Sequence, residues 1–212
     1  MRRLRSAALA AFLAGLPPLA GAQAPAAAPP PAEPIRMGFI TSYTGAVPGS
    51  SLDMSDGFKL ALKTLDNKMA GRPIVVSYGD DQTKPQIGRQ LADQMLTRDK
   101  VQIFTGENLS SVLLGIIRPV LEGGAFYVSA NAGPSQLAGK GCQPHFFSFS
   151  FQNDALFEGV GYLAEEEKLP SMYLIGSNYP AGRDMLAGFK RHYSGKIVGE
   201  MYTPLDQLDY AG

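Results

Sequence analysis

The segment from Val101 to Ser135, VQIFTGENLSSVLLGIIRPVLEGGAFYVSANAGPS, confines the chain to a small set of folds. Val101 to Phe104 is a short apolar run bounded by Thr105-Gly106, the pattern of a buried strand end. Leu113, Leu114, Ile116, Ile117, Val120 and Leu121 then recur at helical spacing. Ser110 or Ser111 stands where the N-cap of that helix belongs. Gly123-Gly124 closes the helix, and Ala125 to Ser129 supplies the next strand. A helix that follows a strand in this way presents unpaired N–H groups and a positive dipole end. Ligands of open parallel sheets sit beyond the carboxyl ends of the strands, so Ser110 and Asn131 are expected beside one crevice.

The alternation extends in both directions. Arg36 to Thr41 reads as a strand, followed by a polar loop to Asp53 and a helix from Met54 to Asn67. Met54, Phe58, Ala61, Leu62 and Leu65 share a face of that helix. Ile74 to Tyr78 is a second strand, and Pro85 opens a helix carrying Ile87, Leu91 and Met95 on one side. Four strands and three helices in strict alternation predict an α/β fold with a parallel, doubly wound sheet. His145 to Phe151 alternates aromatic and polar residues, as a strand or a crossing segment would. Asn153 or Asp154 caps a helix whose predicted apolar face is Leu156, Phe157, Val160, Leu163 and Ala164. A strand at Met172–Ile175, a helix with Met185, Leu186 and Phe189, and a strand at Lys196–Met201 begin a second domain. Two strands cannot bury both faces of their own sheet, so a truncated second lobe is expected. The predicted organisation is a first α/β lobe at 35–145, a hinge crossing at 146–152 and a partial second lobe at 153–212.

The N-terminus predicts export. Met1-Arg2-Arg3-Leu4-Arg5 precedes the apolar run Ala7 to Leu16 and two overlapping A-x-A sites, the features of a secretory signal peptide. Cleavage is expected after Ala22, since the alternative places Pro25 directly behind the cut. The apolar run is too short to span a membrane, which needs about 20 residues, and a soluble mature protein is expected. Residues 23–34 are an Ala/Pro-rich linker. Removal of residues 1–22 leaves 16 basic against 19 acidic residues, a formal charge of −3. That balance argues against nucleic acid as a partner, which requires a concentrated basic surface. Cys142 is the single cysteine, so no internal disulfide can form.

Catalytic and metal chemistry find little support. No G-x-S-x-G elbow exists, and the two histidines, His145 and His192, stand far apart with no nucleophile beside them. One Cys, two distant His and the Asp80-Asp81 pair make no metal constellation; the acids read as a solvated pair flanking a helix. Gly159-Val-Gly161-Tyr-Leu-Ala164 matches a dinucleotide pattern but falls inside an amphipathic helix, where it cannot cradle a phosphate. No P-loop is present and no cofactor is expected. What remains is ligand capture without a nucleophile or base.

The strand ending in the loop from Phe39 to Gly45, the Asp-Asp pair, TGENLSS and SANAGPS, in that order, resemble the solute-binding proteins of ABC importers. Within them the resemblance is to the Leu/Ile/Val-binding type, across residues 35–212, about the first half of such a protein. It implies a type I periplasmic-binding fold, two α/β lobes closing on a small-molecule ligand, with no enzymatic activity. It further implies a periplasmic receptor that delivers a carboxylate-bearing solute, an amino acid or an aromatic acid, to an inner-membrane ABC permease. The alternative is a sensor on the same fold that feeds a regulatory or chemotactic partner. The ligand-binding positions it implies are Ser110 for the carboxylate and Asn131 for a backbone contact. Two further positions are Gly133, where the family carries a hydroxyl residue, and Tyr179, standing two places before the usual aromatic position, here Ala181. The plain alternatives are a helix cap for Ser110, turn formers for Asn131 and Gly133, and a surface loop residue for Tyr179. With half of the cleft missing, the chain alone is expected to bind at millimolar affinity at best.

Overall fold

The computed structural model describes residues 32–46, 48–205, 207 and 209. The predicted signal peptide at 1–22 and most of the 23–34 linker lie outside the described residues. Among those described, no helix is long and apolar enough to cross a membrane.

Five parallel strands form the main sheet: β1 (Ile35–Thr41), β3 (Arg72–Asp80), β4 (Ile103–Thr105), β5 (Phe126–Ser129) and β6 (Phe146–Ser148). Their order across the sheet is β3-β1-β4-β5-β6, with the short β2 (Lys68–Met69) paired antiparallel at the β3 edge. Strand order reverses between β1 and β4, so the topological switch point lies beyond Thr41 and Thr105. Helices α2 (Pro85–Thr97) and α3 (Ser110–Glu122) cover one face, where Ile40, Phe104, Met95, Val112, Leu113, Ile116, Val120 and Tyr127 form the core. Each fully buried aliphatic side chain of α3 contributes about 1.5–3 kcal/mol. On the opposite face α1 (Pro48–Thr64) rests on the sheet through Phe58, whose ring lies 4.8 Å from that of Phe39. Helices on both faces of a mainly parallel sheet make the expected doubly wound α/β architecture.

Three local expectations need correction. Helix α1 begins at Pro48 rather than Met54: proline, with φ preset and no N–H to satisfy, starts a helix well, and the loop is correspondingly shorter. Ser110 is not a cap: Leu109 holds that position, and its N–H donates to Glu107 Oε1 at 2.6 Å. Asn153 is likewise the first helical residue of α4, behind a Gln152 cap that makes no side-chain cap bond. Both side chains are thereby released for contacts elsewhere.

Beyond β6, a smaller α/β segment comprises α4 (Asn153–Glu166), β7 (Ser171–Ser177), α5 (Pro180–His192) and β8 (Lys196–Thr203), with β7 and β8 parallel in a separate sheet. Its core is Ala164, Leu174, Leu186, Phe189 and Tyr193. The predicted apolar face of α4 is only partly used, since Leu156, Val160 and Leu163 are exposed. The reason is the contact with α5, which is made by backbone. A Cβ on Gly161 would lie 2.2 Å from the Phe189 carbonyl oxygen, and one on Gly188 would lie 2.1 Å from that of Asp154. Helices this close turn their small residues inward and leave the leucines outside.

Candidate ligand site

The site is built at the switch point, from the loops that leave β1, β3, β4 and β5. Gly106 turns the chain out of β4 with φ +107°, a conformation that disfavours any side chain, and a Cβ there would press on Ile40 O and the Phe39 ring at 3.0 Å. Thr44 donates from N and Oγ1 to the Asp80 carboxylate, at 3.2 and 2.7 Å, which fastens the β1 loop to the end of β3. Ser42 Oγ donates to Asp81 Oδ1 at 2.5 Å, and Asn108 Nδ2 donates to Ser50 Oγ at 2.9 Å, tying the β4 loop to α1. The expectation of a solvated Asp pair therefore fails for Asp81, which is fully buried.

Ser110 opens α3 and is only 1 % exposed. Its Oγ accepts a hydrogen bond from Asn153 Nδ2 at 3.0 Å, and the same nitrogen donates to Asp184 Oδ2 at 3.1 Å. Ser135 donates to that carboxylate from N at 3.0 Å and from Oγ at 2.7 Å. A polar chain thus runs from the β5 loop through α5 and α4 to the start of α3. Gly133 is buried, and its carbonyl accepts the Asn153 N–H at 2.8 Å. A Cβ on Gly133 would stand 2.2 Å from Phe151 O, so the crossing segment lies directly against this residue. Any side chain at position 133, a hydroxyl residue included, would therefore collide with that segment. Asn131 is exposed at the loop, beside Ala132, whose N–H donates to Glu107 O at 3.3 Å.

Tyr179 caps α5 by position, is half-buried and packs against the main core. Burial pushes its phenol above the ordinary value. It lines a cavity of about 220 Å³ with Phe157, Ile175, Ser177, Met185 and Leu186. Ala181 is buried in α5. The structure thus brings Ser110 and Gly133 together through one residue, Asn153, which reads in the sequence as a helix cap. An Asn-Asp pair before an amphipathic run carries no other signal, because the partners lie 43 and 31 residues away. Among the described residues no group of three or more His, Cys, Asp or Glu could hold a metal ion.

A fold of this topology places a ligand crevice at the switch point, beyond the carboxyl ends of the strands. The chain belongs to the periplasmic binding protein family, whose profile matches residues 34–212. Solved structures agree. The solute-binding protein of an ABC transporter from Rhodopseudomonas palustris BisB5, in complex with 3,4-dihydroxybenzoic acid, is 25% identical with TM-score 0.77, over 84% of this chain and 49% of its own. A benzoate complex of another R. palustris solute-binding protein (22% identity, TM-score 0.79, 84% and 50% covered) shares the fold. So does the isoleucine complex of LivJ, the branched-chain amino acid transporter substrate binding protein of Streptococcus pneumoniae (17%, 0.72, 84% and 52%). The chain spans about half the length of these proteins. No curated protein sequence matches it significantly.

Proposed function

We propose that this chain is part of the substrate-binding component of an ABC importer. It captures a small carboxylate-bearing solute, an amino acid or an aromatic acid, without chemical turnover and hands it to an inner-membrane permease. In this reading residues 1–22 direct export to the periplasm, and lobes at 35–145 and 153–212 move about the crossing at 146–152. The observation that carries it is the start of α3 at the switch point. No side chain caps it, and uncapped first-turn N–H groups with the positive end of the helix dipole behind them suit an anionic ligand. Bound 3,4-dihydroxybenzoate in a 25% identical relative supports an anionic, carboxylate ligand. Ser110, Asn131, Gly133 and Tyr179 are the residues assigned to the cleft.

Titration of the chain with benzoate, 3,4-dihydroxybenzoate and isoleucine, followed by NMR shift changes that read weak as well as tight binding, tests the assignment. Ser110→Ala should weaken carboxylate binding roughly ten- to hundredfold, the loss of one charge-assisted hydrogen bond of about 1.5–3 kcal/mol. Unchanged affinity in that variant would move the site elsewhere, and turnover lost with Ser110 would replace the receptor by a hydrolase.

A further inference from the structure

Glu107 and Asp81 are two buried carboxyl groups at the strand ends of the main sheet, and the receptor reading leaves them without a role. Both are 0 % exposed. Asp81 Oδ1 is occupied by Ser42 Oγ at 2.5 Å and by the Thr83 N–H at 2.9 Å. Glu107 Oε1 accepts the Leu109 N–H at 2.6 Å. The remaining oxygen of each, Asp81 Oδ2 and Glu107 Oε2, is buried and receives no hydrogen bond. The two side chains stand within hydrogen-bonding reach of each other. Two carboxylates cannot form that bond, because neither has a proton to give, and two uncompensated charges side by side out of water are prohibitive. One proton between the orphaned oxygens satisfies both.

We propose that Glu107 is a positioning residue carried as the neutral acid, whose single proton, donated to the Asp81 carboxylate, clamps the loops that build the ligand site. Asp81 already accepts the Ser42 hydroxyl and the Thr83 N–H on one oxygen, which leaves its other oxygen to take the Glu107 proton. Glu107 stands at the junction of everything that matters in the crevice. Its carboxyl holds Leu109, immediately before Ser110, and its backbone carbonyl holds Ala132, between Asn131 and Gly133. Through Asp81 it reaches Ser42 on the β1 loop and Thr83 before α2. The O–H···O bond thereby ties together the ends of β1, β3 and β4, and the Glu107 main chain adds that of β5. The titratable groups bearing on it are Asp81, from the end of β3, and Tyr127, from β5, and neither supplies a positive charge. Burial first, and then the Asp81 side chain, push Glu107 well above the ordinary carboxylate range. Burial likewise raises Tyr127.

The sign of the pH effect follows. The folded state retains a proton that the unfolded chain gives up near the ordinary glutamate value of about 4.3. This group's contribution to stability is therefore complete below that pH and declines as pH rises towards the raised folded value. Glu107→Gln keeps a neutral donor to Asp81 and removes the ionisation.

The significance for binding rests on the proposed function, but the test needs no ligand, so the two can fail separately. Carboxyl-carbon NMR of the chain should show one glutamate still protonated where ordinary glutamates have finished titrating, and the signal should be absent in Glu107→Gln. Urea unfolding should show the variant matching the parent at acid pH. It should then gain on the parent by up to tenfold in the folding constant per pH unit through the window. Glu107→Ala, which strands Leu109 N–H and Asp81, should lose stability at every pH. All glutamates titrating in the ordinary range would overturn the proposal. So would a Gln variant that tracks the parent across pH or fails to fold, because a neutral donor is all that the site is proposed to need.

Discussion

Replacing Gly133 by threonine should destabilise the fold by about 3 kcal/mol, although it supplies the hydroxyl that the resemblance to the Leu/Ile/Val-binding type implies here. The new Cβ would fall 2.2 Å from Phe151 O, and backbone cannot yield as a flexible side chain does. Overpacking of a tight site costs typically 1–3 kcal/mol, and a contact with main chain lies at the upper end. At roughly 2–4 °C per kcal/mol for a chain of this size, the melting temperature should drop by roughly 6–12 °C. The bond from Asn153 N to Gly133 O should break with it, so backbone amide exchange at Asn153 should accelerate. A Gly133→Thr protein as stable as the parent, with Asn153 protected, would show that the crossing segment has room to shift.

The second large effect belongs to the contact between α4 and α5. Gly161→Ala and Gly188→Ala should each cost about 2 kcal/mol, even though alanine gains about 1 kcal/mol of helix propensity over glycine. Each new methyl group would collide with a carbonyl oxygen of the facing helix, Phe189 O or Asp154 O. The double variant should cost distinctly less than the sum, because helices already pushed apart by one methyl accommodate the second. A denaturant-unfolding cycle on the four proteins measures this, and strict additivity would mean that the two collisions are relieved independently.

These effects mark where sequence reasoning reached and where it stopped. The doubly wound α/β order was legible because apolar runs such as Val101–Phe104 and amphipathic runs such as Leu113–Leu121 carry their period within a few residues. Pro85 and Gly106 likewise announce a helix start and a tight exit from a strand through their own backbone chemistry. The role of Asn153 was not legible, since its partners are assembled from distant parts of the chain. Asp81 reads as solvent-facing until Glu107, 26 positions later, is seen against it. The burial of α4 failed for a related reason: periodicity identified the greasy stripe, whereas glycine spacing at Gly161 decided which side faces α5. Of the candidate cleft residues, Ser110 and Gly133 meet at Asn153, while Asn131 is exposed at its loop and Tyr179 packs on the core from α5.

The chain of bonds Ser135–Asp184–Asn153–Ser110 also governs how the molecule can move. Asp184 is gripped twice by Ser135 and once by Asn153, whose own amide nitrogen is shared with Ser110. A small rotation of α4 and α5 against the β5 loop would strain all four hydrogen bonds together, leaving a buried carboxylate, amide and hydroxyl unsatisfied at once. Intermediate angles are therefore the least favourable, and motion of α4 and α5 against the β5 loop is expected as a jump between discrete arrangements rather than a continuous sway. Relaxation dispersion at Asn153, Asp184 and Ser135 should accordingly report a single common exchange rate.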